Sequence, residues 1–233
     1  VSLDLLTEFI RHPFHVSYTA RTVKNVVDSL PLAIKHRENF WTVGSASYKD
    51  RSVRTKHEYE EFVKFKNDQL LEVFPHLYCF MLQFFEHALN AKVRFMDGVS
   101  IPGFHVFKYC KEFEEPLARP HVDVPYDQFD WGSRVGLHTL FTAVIPVEIP
   151  KRAGMYVWDF TSDDLHRVGI EEMKKKVESE EPVGTVFYKV DEMVMHSGLY
   201  VHQIKPFEPD QGGWRITLQL HAVLLDEVWY LYW

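Results

Sequence analysis

An α+β chain is predicted, with helices in the first part and an antiparallel β-sandwich or barrel after them. Three observations predict it. Residues 1–92 place most of their apolar side chains at helical spacing. From about residue 93, short runs rich in β-branched and aromatic residues take over, bounded mostly by Gly, Pro, Asp or Ser. Between those runs there is no regular series of helices of the kind a βαβ unit needs. The 233 residues suit a single domain: 1–92 a mostly helical layer, 93–233 the β core, with a helical insertion near 160–182.

Taken in order, residues 3–11 put Leu3, Leu6 and Ile10 on one helical face, and Pro13 ends the segment. Residues 19–30 repeat the pattern with Val23, Val26, Val27 and Leu30. Glu58 to Leu71 and Pro75 to Leu89 form two further helices, separated at Pro75 because proline is tolerated only in a first turn. Strands follow at Val93–Met96, Phe104–Tyr109, Leu137–Ile145, Met155–Phe160, Val183–Val190, Met193–Met195, Leu199–Ile204 and Ile216–Leu225. The exception is Ile170–Ser179, where Glu171/Lys175 and Glu172/Lys176 pairs suit a solvated helix.

Composition excludes several classes. A net charge of -7 argues against a general nucleic-acid binder, which needs a basic surface to neutralise phosphates. No apolar run approaches the roughly 20 residues that span a bilayer, so no membrane partner is expected. Two cysteines, Cys79 and Cys110, are too few for a disulfide framework and suggest a reducing, cytoplasmic setting.

The chemistry sits among the 13 histidines. In His121-Val122-Asp123 the first and third residues project from one face if the segment is extended, presenting an imidazole and a carboxylate to one metal. HxD alone is common. A second imidazole completes a two-His, one-carboxylate set with open positions. His196 and His202 are the candidates, and either taken singly suits a hydrogen-bonded core histidine. In Trp214 to His221 the alternation is strict: Arg215, Thr217, Gln219 and His221 on one face, Ile216, Leu218 and Leu220 on the other. If the polar face lines a barrel interior, Arg215 is a buried guanidinium that needs an anion, and a dicarboxylate supplies one.

His-x-Asp, a distal His, and Arg-x-Thr thirteen positions beyond it resemble the iron(II)- and 2-oxoglutarate-dependent oxygenases. The likeness covers roughly residues 93–225. Ala153–Asp159 resembles the family's Gly-led strand, and Glu192–Gly198 the turn that delivers the distal His, which favours His202 over His196. The resemblance implies a double-stranded β-helix, or jelly-roll barrel, with the helices packed on one side. It implies iron(II) on His121, Asp123 and His202, with 2-oxoglutarate anchored by Arg215 and Thr217. O2 is the second co-substrate, and hydroxylation of an unactivated C–H bond gives succinate and CO2. Asp123 stands where the family's halogenases have Gly or Ala, which points to a hydroxylase. Tyr109, on the strand before HxD, corresponds to a position that often donates to 2-oxoglutarate, though a core or rim tyrosine fits as well. Thr142 and His138 share a strand face within reach of the co-substrate. Trp158, Phe129 and Trp131 are candidate walls of the substrate site.

Two alternatives share these residues. A cupin-type metal enzyme would use the triad but have no use for Arg215 beside Thr217. A non-enzymatic module would leave the order of the motifs unexplained. The small size favours a small-molecule substrate over a protein side chain of the prolyl-hydroxylase kind. Glu112, Glu114, Glu115, Asp127 and Asp130 near the expected mouth suit either a cationic substrate or a solvated face.

Overall fold

The computed structural model describes residues 9–29, 31–110, 119–129, 131, 135, 139–207 and 213–233. The first part contains β1 (Ile10–Pro13), α1 (Thr19–Ser29), β2 (Ala33–Arg37), β3 (Phe40–Val43), α2 (Ser47–Asp50), α3 (Lys56–Val73) and α4 (Pro75–Leu89). Then come β4 (Lys92–Phe95), β5 (Gly103–Lys108), a 3-10 turn at Pro125–Gln128, β6 (Leu140–Glu148) and β7 (Gly154–Thr161). The chain continues through α5 (Ser162–Val168), α6 (Ile170–Ser179), β8 (Gly184–Phe187), β9 (Glu192–His196), β10 (Tyr200–Ile204), β11 (Trp214–Leu225) and β12 (Val228–Tyr232).

Local chemistry sets the helix ends. Thr55 and Glu58 form a reciprocal capping box at the start of α3, each side chain accepting from the other's backbone N–H. Pro75 occupies the first turn of α4, and Asn90 ends that helix in the left-handed region. The strands form a nine-stranded sheet ordered β1-β9-β6-β11-β5-β3-β2, with β12 beside β11 and β4, and a three-stranded sheet β10-β7-β8.

The alternation in β11 divides the molecule. Ile216, Leu218, Leu220 and Ala222 join the main core with Val23, Leu70, Leu77, Met81 and Phe85 from the helices. A fully buried side chain of this size contributes about 1.5–3 kcal/mol, so this face fixes the helical layer. The opposite face turns toward the small sheet, and Val144, Val194, Met155, Val157, Val186 and Tyr188 cluster between the two. A β-carbon on Gly103 would collide with the buried Trp233 ring, so this strand position has room only for glycine. Among the described residues, no helix is long and apolar enough to cross a membrane.

Four sequence expectations are corrected. Ile10–Pro13 is a strand rather than a helix end, because the edge of β9 offers it four antiparallel partners; Leu3 and Leu6 lie outside the described residues. The "helical" first part also contains the β2–β3 hairpin, which extends the large sheet beside β5. The β core runs past Leu225: Asp226 and Glu227 both take positive φ, as a two-residue type I′ turn requires, and return the chain as β12. The insertion holds two helices, and Lys174 and Lys175 pair at i,i+3 with Glu171 and Glu172, while Lys176 pairs with Glu180.

Candidate active site

His121 and His202 meet through their backbones. Each N–H donates to the other's carbonyl, at 3.0 and 2.9 Å, in an isolated antiparallel bridge. The HxD segment is therefore not part of a regular strand; this bridge does the aligning. Each ring then uses Nδ1 on the carbonyl two residues earlier, His121 on Arg119 and His202 on Tyr200, both at 2.8 Å. A ring whose Nδ1–H is donated in this way presents the Nε2 lone pair. Both Nε2 atoms face Asp123: His202 Nε2 lies 3.5 Å from Oδ2 and His121 Nε2 3.7 Å from Oδ1. One ligand atom from each of the three residues falls within 4.8 Å of the other two. Two imidazoles and one carboxylate with an open side suit non-haem iron(II). That side is at His121, whose side chain is 45% exposed against 9% for His202 and 13% for Asp123.

Electrostatics favour a carboxylate here. Burial alone pushes the Asp123 carboxyl up, but the His202 charge and hydrogen bond, then His221 and His121, hold it well below the usual range. Burial opposes charge on His202, and the Asp123 carboxylate reverses that and raises it. Burial, then His202, lowers His121. Asp123, held low, stabilises the metal-free fold above the ordinary carboxylate pKa, and this is lost as pH falls through its depressed value. His202, held high, stabilises below the ordinary imidazole pKa, and this is lost as pH rises through its raised value. The pair contributes in full between about pH 4 and 6.5. Melting scans of metal-free wild type and Asp123→Asn are expected to differ most in that window; a pH-independent difference would refute the coupling.

Gly198 sets the position of Asp123. Its carbonyl accepts the Asp123 N–H at 2.7 Å, and its own N–H donates to His196 Nδ1 at 3.1 Å. With φ at +77°, a β-carbon here would stand 2.8 Å from Asp123 Cβ and 2.9 Å from Thr142 Oγ1. Gly198→Ala is expected to weaken iron(II) binding by about 10- to 100-fold, the usual loss when a ligand's support is disturbed. Titration of the purified variant with iron(II) checks this, and wild-type affinity would contradict it.

His196 is close to the triad without joining it. Its ring lies 5.3 Å from that of His202 and stacks on Phe9, and burial, then His202, pushes it down to about 3. His221 takes Thr142 Oγ1 at 2.9 Å, so Thr142 supports this wall of the site. His138 lies outside the described residues.

Farther along the same interior face, Arg215 is 1% exposed, and its Nε and Nη1 have no partner among the described residues. Its guanidinium carbon sits 5.5 Å from the Phe107 ring and 5.7 Å from that of Tyr188. Tyr188 joins Val157 in the apolar cluster between the sheets, and Val157 pairs across the ladder with His202. The cation and the triad thus border one interior. Fully buried Thr217 follows on that face and receives Gln219 Nε2 at 3.3 Å. A buried guanidinium without an anion is unfavourable, so the residues present fit a dicarboxylate. Tyr109 lies one residue past β5, where its N–H donates to the Gly213 carbonyl, beside the cluster of Phe40, Phe107 and Phe207.

The three aromatic side chains expected as walls fall into two separate apolar clusters. Val157 shares the face of His202, so Trp158 points to the opposite face of β7, packs on Met173 of α6 and donates to the Glu180 carbonyl. Phe129 and Trp131 stack at 4.5 Å against Tyr232 and Val99, walling a separate cavity of about 180 Å³. Of the acidic residues expected near the mouth, Glu112, Glu114, Glu115 and Asp130 are outside the described residues. Sequence reasoning passed over Tyr188 and Gly198; the only signal for Gly198 was the Ser-Gly turn.

No family model matches the chain, and no curated protein matches it. Solved structures do. The chain is similar to an N-substituted L-amino acid dioxygenase from Burkholderia ambifaria AMMD, with 15% identity and a TM-score of 0.58, covering 99% of this chain and 88% of that one. It is also similar to such a dioxygenase from the same organism in complex with alpha-KG, with 12% identity and a TM-score of 0.53, covering 96% of this chain and 98% of that one. The mixed fold of helices and antiparallel sheets is the fold of these dioxygenases.

Proposed function

We propose that this protein is an iron(II)- and 2-oxoglutarate-dependent oxygenase that hydroxylates an unactivated C–H bond of a small molecule, releasing succinate and CO2. The observation that carries the reading is the buried guanidinium of Arg215, whose Nε and Nη1 have no partner among the described residues, on the interior it shares with the triad. A metal-only barrel enzyme would need His121, Asp123 and His202 but no such cation. The facing sheets are read as a double-stranded β-helix.

His121 and His202 would hold the iron through Nε2 and Asp123 through a carboxylate oxygen. Arg215 and Thr217 would hold the far carboxylate of 2-oxoglutarate, with Tyr188 beside them and Tyr109 as a further donor. When bound with O2, iron and 2-oxoglutarate supply the oxidising power that breaks the C–H bond. This chain's own residues bind, orient and exclude water. Val144, Met155, Val157, Val186 and Val194 make the space between anchor and triad apolar, which strengthens the pairing of Arg215 with a carboxylate. The Arg119 and Tyr200 carbonyls keep both imidazoles in the ligating tautomer.

A small-molecule substrate is supported by the N-substituted amino acid named for the similar dioxygenase. The test is succinate release by iron-loaded protein across a panel of amino acids, their N-substituted derivatives and proline-containing peptides. Substrate-stimulated succinate, with product gaining one oxygen atom from 18O2, is expected. Protein that loads iron but neither binds 2-oxoglutarate nor releases succinate would overturn the reading.

A further inference from the structure

His105 stands on β5 directly across the ladder from Thr217, on the face that also carries Arg215. Residues so paired hold their β-carbons about 4.5–5.5 Å apart. The His105 ring is buried among Phe40, Phe107 and Trp233, with centroids at 5.5, 6.2 and 5.1 Å. Its Nε2 is 2.7 Å from the Tyr48 hydroxyl, and its Nδ1 is buried with no partner among the described residues. Burial, and then the nearby Arg215 charge, lowers its pKa well below the ordinary value, so the ring is neutral and carries one N–H. If Tyr48 donates to Nε2, that N–H is at Nδ1, buried and idle. Two neighbouring side chains, Arg215 and His105, therefore both hold polar nitrogens that nothing among the described residues satisfies. A bound anion between them would satisfy both at once.

We propose that His105 is a further donor to the far carboxylate of 2-oxoglutarate, with Tyr48 fixing which ring nitrogen carries the proton. The inference rests on the oxygenase reading above and extends its anchor from β11 to β5. His105 binds co-substrate and takes no part in the oxidation. Tyr48 is a positioning residue; at 42% exposure it stands at the rim, so the tautomer of a buried ring is set from the edge of the site.

The experiment is calorimetric titration of 2-oxoglutarate into iron(II)-loaded protein without oxygen, comparing wild type, His105→Asn, His105→Gln and Tyr48→Phe. The Asn amide can place its N–H near the Nδ1 position, whereas Gln reaches only the Nε2 position. His105→Gln is expected to weaken 2-oxoglutarate binding about tenfold, the worth of one hydrogen bond to a charged acceptor, with iron content unchanged. His105→Asn is expected to restore most of the loss, and Tyr48→Phe to lose less than His105→Gln. In wild type the His105 Nδ1–H proton resonance is expected to move downfield when 2-oxoglutarate binds. Wild-type affinity in His105→Gln, or equal losses in Asn and Gln, would overturn the assignment and leave the oxygenase reading standing. A Tyr48→Phe loss equal to or above that of His105→Gln would transfer the donor role to the phenol. Wild type that loads iron but binds no 2-oxoglutarate would instead defeat the oxygenase reading itself.

Discussion

Arg215→Met is expected to abolish useful 2-oxoglutarate binding and, at the same time, to raise the melting temperature of the protein without ligand. The two effects share a cause. The guanidinium is fully buried, lies beside the Phe107 and Tyr188 rings, and has two nitrogens without a partner among the described residues. A methionine of similar length removes that desolvated charge and keeps the packing. Replacing buried ionic groups by apolar ones stabilises by up to about 1–4 kcal/mol, or roughly 2–10 °C in a chain of this size. Against this, losing two charge-assisted hydrogen bonds to a carboxylate raises the dissociation constant about 10²- to 10⁴-fold. Thr217→Ala, removing one neutral donor, is expected to raise it only about fivefold. Binding titrations and melting scans on the same samples decide the matter. A variant that melts lower and binds 2-oxoglutarate normally would show that Arg215 is a structural cation.

Asp123→Ala and His202→Ala are expected to empty the site of iron and to stop succinate release. Asp123 is the only anion of the triad and faces both ring Nε2 atoms. His202 presents the less exposed of the two Nε2 atoms, held by the Tyr200 carbonyl. Either change leaves two ligands and an unbalanced buried site, so a loss of metal affinity beyond about 10³-fold is expected. His196→Ala is the control: its Nδ1 is engaged by Gly198, and most iron should remain. Metal analysis after desalting gives the answer directly. Iron retained by His202→Ala but lost by His196→Ala would reverse the assignment of the distal histidine.

The features legible in the sequence were those fixed by short-range spacing. The polar and apolar faces of Trp214–His221 follow from period-two alternation alone, and the helices at 56–73 and 75–89 from periodicity and Pro75. The pairing of HxD with His202 was visible only as an order of motifs; the backbone bridge that joins them is a long-range contact with no local signature. The same reason accounts for the failures. Trp158 differs from Val157 by one residue, and only the register of β7 against β10 decides which of them shares the face of His202. Tyr188 and His105 likewise reach Arg215 through pairings that sequence spacing does not encode. The hairpin at 33–43 and the terminal strand at 228–232 went unseen because their turns, Glu38-Asn39 and Asp226-Glu227, carry no glycine.

The reciprocal bridge between His121 and His202 has a thermodynamic consequence. The two histidines lie 81 positions apart in the chain, and in an unfolded polymer bringing them together carries the loop-closure penalty of a long segment. Here two main-chain hydrogen bonds between the histidines themselves join the ends of that loop. The binding free energy of a metal is then not consumed in folding the protein, unlike the small domains whose structure collapses on chelation. On the proposed reading, stripping and reloading the metal is expected to be a reversible exchange on a standing scaffold.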